Sequence, residues 1–67
     1  MIEDDILKLL AIKKKLYYKD LMYEFDLNLQ YSFILINRLI KNEKVNVSHE
    51  IIEDKGRKWM RKYIVLR

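Results

Sequence analysis

The chain contains no cysteine, and at 67 residues that absence constrains it more than any motif does. A domain this small buries a limited fraction of its surface and is only marginally stable alone. Such domains usually add a disulfide, a metal or a partner chain. Without cysteine, disulfides and thiolate zinc sites are excluded. The single histidine, His49, cannot build a metal site without a carboxylate cluster around it. No metal, no cofactor and no small-molecule ligand is expected. Association with a second copy is the remaining staple, so a homodimer is expected.

The balance of 51% hydrophobic and 36% charged residues is that of a globular domain. No apolar run approaches the ~20 residues of a membrane span. The acidic opening, Met1-Ile2-Glu3-Asp4-Asp5, lacks the basic flank and apolar stretch of a signal peptide, and a cytoplasmic location is expected. Abundant lysine, isoleucine and glutamate suit a thermophile. The formal charge is +4, but its distribution says more. Residues 55–67 hold Lys55, Arg57, Lys58, Arg61, Lys62 and Arg67 with no acid, and Lys13, Lys14 and Lys15 form a second cluster. That asymmetry favours a polyanionic partner. It is also what the solvated surface of a lysine-rich protein shows.

Helical spacing predicts a first helix over 4–14, with Ile2, Ile6 and Leu9 or Leu10 in one apolar stripe. A brief strand or extended link follows at Leu16-Tyr17-Tyr18, then a short helix over 19–25 with Leu21, Met22 and Phe25 inward. Asp26 and Asn28 are turn and N-cap residues. A third helix is predicted from about Leu29 to Asn42, its buried stripe being Leu29, Phe33, Ile36 and Ile40, widened by Leu35 and Leu39. Lys44-Val45-Asn46-Val47-Ser48 alternates with period two and reads as a half-buried strand. Glu50-Ile51-Ile52 is read as its return partner, although Ser48-His49 is a poor two-residue turn. Residues 54–63 read as a fourth helix with Trp59, Met60 and Tyr63 on one face. Ile64-Val65-Leu66 extends it or leaves as a tail.

Two stretches carry a family resemblance. Residues Leu21 to Leu29, leading into Phe33, Ile36, Leu39 and Ile40, look like a helix-turn-helix core. Residues Ile51-Ile52-Glu53-Asp54-Lys55-Gly56-Arg57-Lys58-Trp59 look like the exit from a wing. Together they resemble the winged helix-turn-helix family, particularly small archaeal and archaeal-virus transcription regulators. The chain departs from that pattern in having no glycine in the turn and Glu53 where a capping threonine often sits. The resemblance implies a mainly α (α+β) fold over 1–67: a three-helix core, a short β-hairpin wing and a C-terminal fourth helix. The helix-turn-helix would span about 19–42, the wing about 44–52 and the last helix about 54–64.

The resemblance also implies that the third helix enters the major groove of duplex DNA. It places Gln30, Tyr31, Ile34, Asn37, Arg38 and Lys41 on the base-reading face, which helical periodicity independently exposes. Gln and Asn pair with adenine and Arg with guanine, and Ile34 suits a thymine methyl. Lys13, Lys14, Lys15, Lys19 and the wing residues Ser48 and His49 would meet phosphates. Each has a plain alternative, since exposed Gln, Asn, Lys and His are usually just solvated. Trp59, Met60, Tyr63 and Leu66 form the expected dimer interface, or else pack on the first helix.

Nothing points to catalysis. One glycine cannot build a nucleotide loop, and no serine has a histidine placed to activate it. The expected function is therefore a DNA-binding transcriptional regulator. Two alternatives stay open: a protein-interaction module in a transcription or replication assembly, favoured if Tyr31 and Ile34 belong to an apolar patch, and a non-specific architectural DNA-binding protein.

Overall fold

Acids open the first helix and a lysine closes it, complementing the helix dipole at both ends. In the computed structural model, which describes residues 2–67, this helix is α1 (Ile2–Lys13). Met1, where the acidic opening begins, lies outside the described residues. The order that follows is β1 (Lys15–Tyr17), α2 (Tyr18–Phe25), α3 (Leu29–Lys41), β2 (Val45–Asp54) and β3 (Arg57–Leu66). The described residues form a small α+β fold of three helices and a three-stranded antiparallel sheet of order β1-β3-β2.

The junctions follow local chemistry. The Tyr17 N–H donates to Asp20 Oδ2 at 3.1 Å where α2 begins. Asp26 ends α2 in the left-handed region at φ 52°, with the Leu27 N–H on the Met22 carbonyl at 3.0 Å. Asn28 caps α3, its Oδ1 accepting from the Tyr31 N–H at 2.7 Å. The exit from α3 is a Schellman motif: Glu43 N–H reaches the Ile40 carbonyl and Lys44 N–H the Leu39 carbonyl.

The core joins all three helices to one face of the sheet. Ile6 and Leu10 of α1, Leu21 of α2 and Leu35, Ile36 and Leu39 of α3 meet Leu16, Val45 and Ile64 of the strands. Leu16, Ile64 and Val47 lie directly opposite one another across β1, β3 and β2, so they share the helix-facing side. The other side of the sheet carries Tyr17, Tyr63, Trp59, Lys15, Arg61 and Glu50.

The C-terminal third differs from the expectation. No helix forms at 54–64; residues 57–66 are β3, paired with β2 along ten residues. In place of the expected short hairpin at 44–52 there is a long one spanning 45–66. Its turn is Lys55-Gly56, not Ser48-His49. Both turn residues have positive φ, 50° and 78°, the backbone of a type I′ turn, which matches the strand twist and favours glycine second. Trp59, Met60 and Tyr63 fit a helix stripe on paper. On a strand, alternate side chains take opposite faces. Trp59 and Tyr63 therefore share the uncovered side, while Met60 and Leu66 lie on the helix side. The expected dimer interface is not one surface.

A second correction concerns α3. The buried positions are Ser32, Leu35, Ile36 and Leu39, whereas Leu29, Phe33 and Ile40 are exposed. The inward face is thus turned away from the Leu29–Phe33–Ile40 line. Ser32 tolerates burial because its hydroxyl donates to the Asn28 carbonyl at 2.9 Å.

Candidate nucleic-acid interface

At ~100° per residue the outward face of α3 can be laid out from its buried one. Gln30, Ile34, Asn37 and Lys41 lie along its centre, opposite Ser32, Leu35, Ile36 and Leu39. All four are exposed. Tyr31 and Arg38 form one flank, beside α1, and both are exposed. Leu29, Phe33 and Ile40 form the other, apolar flank, where Phe33 meets the Tyr18 ring edge-on at 4.9 Å between centroids. No residue of α3 is acidic. Burial pushes the Tyr18 phenol up from its usual range.

Arg38 is held differently from its neighbours. Its Nη1 donates to Glu3 Oε1 of α1 at 2.8 Å, which draws the guanidinium toward α1 and away from the middle of the face. Reading a base with Arg38 would require that pair to open.

The expected phosphate-binding residues do not form one patch. Lys13 and Lys14 sit at the exposed end of α1. Lys15 is engaged on the uncovered sheet face. Its Nζ lies 3.5 Å from Glu50 Oε2 and over the Tyr17 and Tyr63 rings at 5.5 and 5.0 Å. The Tyr17 hydroxyl donates to Glu50 Oε1, and Arg61 stacks 4.8 Å from the centre of the Tyr17 ring. The hydrogen bond with Tyr17 and the charge of Lys15 hold the Glu50 carboxyl below its usual range. The Tyr17 hydroxyl and Glu50 raise the Lys15 ammonium above its own. Ser48 and His49 are mid-strand residues on opposite faces of β2, paired with Tyr63 and Lys62, and are far from the hairpin tip.

Lys19 is the exception. It lines an open cleft of about 580 Å³ between the start of α2 and the edge of β3 beyond the end of β1, together with Tyr17, Tyr18, Asp20, Met60, Arg61 and Lys62. Arg61 and Lys62 were not among the expected site residues, because a helix reading of 54–63 gave them no neighbours on α2. Their signal in the sequence is the period-two pairing of an acidic strand, Glu50 to Asp54, with a basic one, Arg57 to Lys62.

Among the described residues no group of three or more His, Asp or Glu side chains is placed to hold a metal ion, and no helix is long and apolar enough to cross a membrane. Compared with known proteins, the sequence matches no family model and no curated protein.

Proposed function

We propose that this chain is a DNA-binding protein of the winged-helix type, a transcriptional regulator that presents α3 to the major groove as a homodimer. The observation that carries this reading is the outward face of α3: Gln30, Asn37 and Lys41 exposed in line on a helix without a single acid. Gln and Asn read adenine bidentately, and an acid-free face meets no repulsion from phosphate. Two features support it. The order helix, strand, helix, helix, hairpin fits that fold, and the distal end of the hairpin exposes three cations, Lys55, Arg57 and Lys58. Asn37 rather than Arg38 takes the leading base-reading role, because Arg38 is tied to Glu3.

A protein-interaction role is the second reading. It is favoured by the apolar flank, where Leu29, Phe33 and Ile40 are 47%, 43% and 37% exposed.

The test is binding to random and selected duplexes across a range of salt concentrations, with Asn37→Ala and Lys41→Ala. Asn37→Ala is expected to lose preference at one base pair by ~1–3 kcal/mol. Lys41→Ala is expected to weaken all sequences alike and flatten the salt dependence. Salt-sensitive binding without preference would replace regulation with an architectural role. No binding at low salt would end the DNA reading and turn attention to the apolar flank.

A further inference from the structure

β2 is the outer strand of the sheet along its ten residues. Its register with β3 runs unbroken from Val45↔Leu66 to Asp54↔Arg57, so no bulge twists the edge away. Residues 45–54 contain no proline and no lysine, and the charges the strand does carry, Glu50, Glu53 and Asp54, lie in its distal half. The backbone directions follow from the turn. A two-residue turn closes on a hydrogen-bonded pair, here Asp54 and Arg57, and such pairs alternate along an antiparallel ladder. The opposite end of the hairpin agrees, since the Arg67 N–H donates to the Lys44 carbonyl at 3.1 Å. Even-numbered residues of β2 therefore direct their N–H and C=O groups to β3. Val47, His49, Ile51 and Glu53 direct theirs outward, where no strand receives them among the described residues; Val45 shares their parity but is buried in the core.

We propose that a second copy of this chain pairs antiparallel along that edge, with His49 opposite the partner's His49 on the two-fold axis. The two sheets then join into one continuous sheet. This locates the homodimer and does not depend on DNA binding.

Charge and hydrogen-bond parity select the register. A two-fold pairing with outward groups on both strands must set odd-numbered residues opposite odd ones. Centred on His49, it pairs the accessible stretch from Val47 to Ile51 with its own copy, so the outward groups of Val47, His49 and Ile51 are all received. Lys44 falls opposite the partner's Asp54, and the reverse pair repeats it. That position lacks cross-strand backbone hydrogen bonds, so the side chains approach most closely there. Val47 falls opposite the partner's Ile51 on the helix side of the sheet. Ile51 is 74% exposed in the single chain and would gain an apolar neighbour. The adjacent registers are worse. Centring on Glu50 sets that carboxylate against its own copy, and centring on Ser48 sets Glu43 against the partner's Glu53.

The test is sedimentation across micromolar to millimolar protein without DNA, together with amide exchange on the intact chain. A dimer is expected, with the amides of Val47, His49 and Ile51 protected only at concentrations where it forms. Lys44→Asp is expected to weaken dimerisation at least tenfold, and Lys44→Asp with Asp54→Lys to restore it. A monomer at millimolar concentration would overturn the proposal. So would a dimer in which those three amides exchange freely, because its interface would then lie elsewhere. The exchange measurement uses the unaltered chain, so it decides even if a charge variant fails to fold.

Discussion

Lys14, Asp26, Glu43 and Lys55 all have positive φ, between 50° and 73°, at the junctions between elements. Glycine is the usual residue at such positions because a Cβ crowds the backbone there. Glu43 is the clearest case. It is the left-handed residue of the Schellman motif ending α3, and its carboxylate has only an exposed pair with Arg67 at 3.4 Å to offset the strain. Glu43→Gly is expected to stabilise the fold by ~0.5–1 kcal/mol, relieved strain outweighing the added freedom of the unfolded chain. Urea unfolding would show the midpoint moving up at constant slope. The Glu50 cluster makes a different kind of prediction. Because the carboxyl is lowered in the fold, its contribution is present above the ordinary carboxylate range near ~4.3 and is lost as pH falls through the lowered value. The raised Lys15 contributes below its ordinary range and loses that contribution as pH climbs through the raised value. Both groups are solvated, so the effect on global stability is small. The readout is local: the Tyr17 and Tyr63 ring resonances should shift on acidification and stay still in Glu50→Gln.

At the scale of elements, the long hairpin rests on its turn. Gly56 has φ 78°, and nothing lies within 4 Å of where a Cβ would stand, so substitution there is a purely conformational insult. Gly56→Ala is expected to destabilise the hairpin by ~1–2 kcal/mol. Lys55→Asn, which supplies the favoured type I′ pair, should act in the opposite sense. Amide exchange at Ile52 and Trp59 would report both, ahead of any change in α1. The same hairpin marks where the sequence misleads. The three helices are legible because each has a cap or dipole signal and an apolar period near 3.6. Asn28 before Leu29, acids in the first turn of α1 and Asp20 early in α2 fix their starts to within two residues. The distal hairpin has solvent on both faces, so no apolar alternation marks residues 57–62 as a strand. Trp59, Met60 and Tyr63 then imitate a helix stripe. Gly56 is the available signal, because a lone glycine suits the second residue of a type I′ turn as well as it suits the exit from a wing. On α3 the polar centre was legible, as Gln30, Asn37 and Lys41 show. The inward direction was not, because Leu29, Phe33 and Ile40 compete with Leu35, Ile36 and Leu39 for the core, and only the position of the sheet decides between them.

The whole molecule is the scale at which the missing cysteine matters. Among the described residues nine apolar side chains form the buried core, while Ile12, Tyr23, Ile51 and Met60 remain at least 60% exposed. So small a core leaves little margin against chain entropy, and a partner that binds only the folded chain adds to it by mass action. If the β2 edge pairs as proposed, the melting temperature should climb with protein concentration. For a domain of this size each ~1 kcal/mol of added stability is worth ~4–8 °C. Lys44→Asp should flatten that climb, and the added Asp54→Lys should bring it back. A melting temperature that stays constant over a hundredfold dilution would mean that the helices and sheet hold one another without help. The outer edge of β2 would then be a tolerated exposure rather than an interface. A climb that Lys44→Asp leaves unchanged would separate the two claims: the chain needs a partner, but not along this edge. Because the proposed axis runs perpendicular to the sheet, both helical layers stay on one side of the joined sheet. The same edge that stabilises the chain would thereby set how two copies of α3 stand relative to one another, and Lys44→Asp should weaken stability and any two-site DNA binding together.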